Sequence, residues 1–173
     1  MDVLIELIQI VLPAGLVLYA MYLVVRSFIN KEIDKLKLEI RGRSIETVIP
    51  NRLQAYERMI LFLERIAPQS LLVRLNNGDY TAREFQQILL NEIRNEYNHN
   101  VSQQVYMSDE AWDLIKTARE DLILTINESA ASLDEKANAL DLSKKIFDAS
   151  LAKELDPIYH AILQVKSEIR QTF

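Results

Sequence analysis

The chain has 173 residues, 49% hydrophobic and 26% charged, with a formal net charge of −5. That length suits one globular domain plus an anchor and is too short for two ordinary domains. Cysteine is absent, which excludes disulfides, thiolate metal sites and a cysteine nucleophile.

With 3 Gly, 4 Pro and long stretches rich in Leu, Ile, Glu, Gln, Lys and Arg, the expected fold class is all-α. Leu7 to Val25 carries no charge, and Gln9 is its one strongly polar member. About 20 apolar residues cross a hydrocarbon core as a helix, so this run predicts a transmembrane helix. Tyr19 and Tyr22 fall near one end, where amphipathic rings settle, and Arg26 follows within snorkelling reach. A cleaved signal peptide fits less well, because no basic segment precedes the run and the run exceeds the usual apolar core of a leader. A buried helix of a soluble protein fits poorly too, because the run is apolar all round. Pro13 and Gly15 lie mid-span, where both residues are common in membrane helices.

Charge then gives an orientation. Residues 26–43 hold six bases (Arg26, Lys31, Lys35, Lys37, Arg41, Arg43) against three acids, whereas residues 44–173 hold 14 bases and 20 acids. All the flanking bases lie C-terminal to the apolar run, which predicts a short outside N-terminus and a cytoplasmic C-terminal part. A basic collar on an acidic body suits a lipid bilayer and not nucleic acid, which needs a basic face on the folded domain. Residues 1–28 are therefore expected to be the anchor, 29–49 a juxtamembrane helical stalk, and 50–173 a cytoplasmic bundle.

The stalk carries Ile29, Ile33, Leu36 and Ile40 at spacings of four, three and four. This heptad stripe predicts either a homo-oligomer through the stalk or packing against the chain's own bundle. Pro50 is expected to end the stalk helix. A second helix is expected from Asn51 to Ile66, with Leu53, Tyr56, Ile60 and Leu63 on one stripe. A short helical turn should cover Gln69 to Leu75 behind Pro68, and Asn76-Asn77-Gly78-Asp79 reads as a turn. Thr81 with Glu84 predicts a capping box for a helix to about Asn98 that buries Phe85, Ile88, Leu89 and Ile93. His99 to Met107 reads as a connector. Ser108 should cap a helix with Asp109 and Glu110 in its first turn and Trp112, Ile115, Leu122 and Ile126 on its buried face. The boundary between Ala131 and Asn138 is open. A further helix is expected over Leu140 to Leu155, and Asp156-Pro157 should open the last, presenting Ile158, Ile162, Val165 and Ile169. The sum is an antiparallel helical bundle on a membrane stalk.

The blocks Leu53-Gln54-Ala55-Tyr56-Glu57-Arg58, Leu61-Phe62-Leu63-Glu64-Arg65-Ile66 and His99-Asn100-Val101-Ser102-Gln103-Gln104-Val105-Tyr106-Met107-Ser108-Asp109-Glu110-Ala111-Trp112 resemble a family of uncharacterised membrane proteins from Bacteroidota. The resemblance runs over nearly the whole chain. It implies a single-span helical protein of a bacterial inner membrane and brings no catalytic or binding residue with it.

No phosphate-binding glycine loop can be drawn through Gly15, Gly42 and Gly78, and no Gly-x-Ser-x-Gly elbow is present. Glu96-x-x-His99 has the spacing of a di-iron half-site, but a bundle di-iron centre needs two such pairs and two further Glu. At a helix end, His99 is better explained by its favourable place against the helix dipole. Glu57 and Glu64 share a stripe with Leu61 and could be buried carboxylates for acid–base work, or partners of Arg58, Arg65, Arg83 or Arg94. Asn100-x-Ser102 and Asn127-x-Ser129 match a glycosylation pattern that has no meaning in a bacterial cytoplasm. Gln103, Gln104 and Tyr106 make the connector a candidate docking surface, with helix capping as the structural reading. No cofactor and no metal site is expected. Two functions follow. One is a non-enzymatic scaffold or protein-interaction module at the membrane, with a protein partner that the sequence does not identify. The other is a bundle-interior enzyme or metal-dependent sensor using Glu57, Glu64, Glu96 and His99.

Overall fold

The computed structural model describes residues 2–76 and 78–172, and their side chains apart from those of residues 2–11, 40–47 and 172. Among the described residues it holds six α-helices and one 3₁₀ helix: α1 (Asp2–Ile66), α2 (Pro68–Leu75), α3 (Ala82–Asn100), the 3₁₀ helix (Val101–Tyr106), α4 (Asp109–Ala131), α5 (Ala139–Leu151) and α6 (Pro157–Thr172). The all-α expectation holds.

The chain divides into two compact units, Met1–Ile49 and Pro50–Phe173. Pro50 does not end the first helix, which runs on to Ile66. Proline lacks the N–H that would bond the carbonyl four residues back, yet the apolar periodicity on its C-terminal side is strong enough to carry the helix through. In the first unit, Leu12–Glu39 contains a stretch long and apolar enough to cross a membrane, and none of it is buried.

The second unit is a bundle with one core. The spacing of Tyr56, Met59, Leu63 and Ile66 turns one face of α1 inward, and all four are buried together with Phe62. They meet Phe85, Leu89 and Ile93 of α3, Trp112, Ile115, Leu122 and Ile126 of α4, Leu142 and Ile146 of α5, and Ile158, Ile162 and Val165 of α6. Leu53 is exposed, while Ile60 and Ile88 are half-buried, so the predicted stripes of α1 and α3 are rotated slightly from the actual buried faces. Cross-helix contacts show the antiparallel order. Gln86 near the start of α3 donates to Asn127 near the end of α4 at 2.9 Å. Tyr97 near the end of α3 stacks on Trp112 near the start of α4, with centroids 5.8 Å apart.

Local chemistry sets the element ends. Gly78 adopts φ +79 in the predicted turn, where a side chain would be strained, and its N–H donates to the Asn76 side-chain oxygen at 2.9 Å. Thr81 and Glu84 form the predicted capping box. Ser108 caps α4 by accepting from the Ala111 amide at 3.2 Å. Asp156 accepts from the Ile158 amide at 2.9 Å at the start of α6. The open region resolves into a second capping box, Asn138 with Asp141, so α5 starts at Ala139 and ends at Leu151. The two capping boxes sit side by side, because Ala82 N–H donates to Ala137 O and Ala139 N–H to Tyr80 O, both at 2.9 Å. This bridge between Thr81 and Asn138 pins the starts of α3 and α5 together.

Candidate interaction surface

The antiparallel order of α4 and α6 brings Glu168, near the end of α6, to the start of α4. One Glu168 carboxylate oxygen accepts from the Tyr56 hydroxyl at 2.6 Å and from the Ser108 amide at 2.9 Å, and the other accepts from the Ser108 hydroxyl at 2.7 Å. Arg52 donates to the Tyr56 oxygen at 2.8 Å and stands 3.9 Å from Glu168. Burial alone would push the Glu168 carboxyl up. The bonds from Tyr56 and Ser108 and the Arg52 charge outweigh it and hold the carboxyl below its usual range. Burial also raises the Tyr56 hydroxyl, and its bond to Glu168 raises it further. This junction ties three helices together.

Next to it lies an aromatic row. Phe62, Tyr97 and Trp112 follow one another at centroid distances of 6.1 and 5.8 Å, and the Arg119 guanidinium sits 4.0 Å over the Tyr97 ring. On the outer side of this row, between α1 and α3, runs an open groove of about 490 Å³ lined by Arg58, Leu61, Phe62, Arg65, Asn95, Glu96, His99 and Asn100. Arg65 pairs with Glu96 at 2.6 Å and reaches Glu92 at 4.0 Å, and Arg74 holds Glu92 from α2. Arg65 is half exposed, so these pairs orient the groove wall and add little stability.

The structure does not bury the carboxylates on which the bundle-interior alternative depends. Glu57, Leu61 and Glu64 do form one stripe, but it is the outward one, and all three are exposed. At 100° per residue, the face that buries Tyr56, Met59 and Leu63 leaves positions 57, 61 and 64 on the other side. His99 is exposed at the end of α3, and Glu96 is engaged by Arg65. Among the described residues, no group of three or more His, Asp or Glu is placed to hold a metal ion.

Asn100, which lines the groove at the end of α3, has a buried side chain that donates to Glu96 O at 2.8 Å. The connector is a 3₁₀ helix rather than an irregular loop. Gln103 donates to the Ser102 hydroxyl at 3.3 Å, and Gln104 and Tyr106 are exposed. Val105, between them, is 80% exposed, and Leu61 on the groove wall is 53% exposed. Gln104, Val105 and Tyr106 are thus accessible on the 3₁₀ helix, while Gln103 is half-buried. Of the stalk stripe, Ile29, Ile33 and Leu36 are exposed, and the Ile40 side chain lies outside the described residues.

Sequence reasoning missed Glu168 and Arg52. The available signals were weak: Arg52 and Tyr56 are one helical turn apart, and Glu168 stands three residues after the buried Val165.

A family model described as "Family of unknown function (DUF7935)" matches residues 2–172. No curated protein and no solved structure matches the chain.

Proposed function

The chain belongs to the DUF7935 family of unknown function, and from that premise we propose that it is a single-span protein of a bacterial inner membrane whose cytoplasmic helical domain is a non-enzymatic protein-interaction module. The observation that carries the anchor is the exposure of the apolar run: Leu16, Val17, Leu18 and Val24 are each more than 60% exposed. Such a surface in water is a large penalty, and a bilayer removes it. The six bases that follow the run support a cytoplasmic position for the domain. The bacterial setting rests on the family resemblance of the three sequence blocks.

The interaction reading rests on a set of exposed side chains, Leu61 on the wall of the α1–α3 groove and Gln104, Val105 and Tyr106 on the 3₁₀ helix that follows α3. It combines exposed apolar groups with polar groups able to orient a partner, on rigid helices. A photo-crosslinking amino acid placed at Leu61 or Val105 in living cells is expected to give adducts of defined mass. The same probe at Asp134, at the far end of α4, is expected to give none, and combining Gln104→Ala with Tyr106→Ala should abolish the adducts at Val105. Equal labelling at all three positions, or adducts indifferent to those substitutions, contradicts the reading.

A further inference from the structure

Ile29, Ile33 and Leu36 are 50%, 44% and 50% exposed on α1, and Ile40 continues their spacing in the sequence. With Ile33 and Ile40 at heptad position a, Ile29 and Leu36 fall at d, a combination suited to parallel two-stranded pairing. The flanking positions add a second observation. This register puts Glu32, Glu39 and Glu46 at g and Lys37 at e. In a parallel pair, a g residue faces the e residue of the following heptad on the other helix, so Glu32 meets Lys37 of the second copy, twice by symmetry. An antiparallel pair would set g against g and bring glutamates together. Arg26 and Arg43 occupy the next a and d positions on either side, which confines the seam to residues 29–40.

We propose that two copies of this chain pair in parallel through residues 29–40, with Glu32 and Lys37 setting the register. This rests on the membrane-anchored reading: insertion in one sense keeps the helices parallel, and confinement to the bilayer raises their effective concentration enough for a short seam.

The chain lacks cysteine, so single cysteines report cleanly. In native membranes of the full chain, cysteine placed at Ile33 or Leu36 should crosslink strongly between copies, and cysteine at Lys35 only weakly. With the Ile33 reporter present, Glu32→Lys or Lys37→Glu alone should lower the yield about fivefold, since each sets like charges opposite each other twice. The double variant, or the two single variants co-expressed, should restore it. Equal crosslinking at positions 33 and 35, no crosslinking, or failure of the charge exchange to restore the yield overturns the proposal. The anchor is scored separately by alkaline extraction of the same membranes, so loss of anchoring is told apart from loss of pairing.

Discussion

Trp112→Ala is expected to lower the stability of the bundle by about 3–5 kcal/mol, the cost of emptying a large aromatic site that cannot collapse. Trp112 is 8% exposed and stacks on Tyr97, which also touches Phe62 and lies under Arg119. Its amide bonds to Ser108 O at 3.0 Å, so it stands in the first turn of α4, directly behind the cap. Removing the ring deprives Tyr97 of one of its covers as well as opening a cavity. Thermal unfolding of the detergent-solubilised protein should drop by more than about 10 °C, while Trp112→Phe should lose far less. A Trp112→Ala protein that melts with the parent would place the indole outside the core and contradict the packing described.

Glu168→Ala should cost about 2–3 kcal/mol. The carboxylate is 15% exposed, and its removal leaves the Tyr56 hydroxyl and both Ser108 donors without this acceptor. Arg52, at 3.9 Å, is a minor partner beside these bonds. A pH dependence goes with the loss. The folded carboxyl titrates below the usual glutamate range, so ionised Glu168 contributes its full stability above that range. The contribution fades as pH falls through the lower folded value. Denaturant midpoints measured from neutral pH down to the acid limb should therefore converge for parent and Glu168→Ala protein. A constant gap across that range would show that the ionised carboxylate is not what ties the three helices.

The physics separates what was legible in the sequence from what was not. Thr81 with Glu84, Ser108 and Asp156 act within four residues of themselves, so their caps could be read directly. The Asn138 and Asp141 box obeys the same logic with the shorter aspartate in place of the usual glutamate, and it was overlooked in a stretch of small residues. Pro50 shows a local rule overridden. The preference of the residue before proline is worth less than continuation into a stripe that buries Tyr56, Met59, Leu63 and Ile66. On the same helix, the stripe of Glu57, Leu61 and Glu64 left buried carboxylates open as one alternative, yet all three residues are exposed. The actual face is narrower and leaves Leu61 outside. The Glu168 junction joins residues 60 and 112 positions apart, and no spacing pattern encodes a contact that exists only once α4 and α6 lie antiparallel.

The proposed topology has the apolar stretch of α1 in the membrane and the bundle on the cytoplasmic side. Reporter fusions at the C-terminus test it most directly. Green fluorescent protein fused after Phe173 is expected to fluoresce and to stay with membranes through alkaline extraction, while alkaline phosphatase fused at the same point is expected to be inactive. An active phosphatase with a dark fluorescent fusion would contradict it.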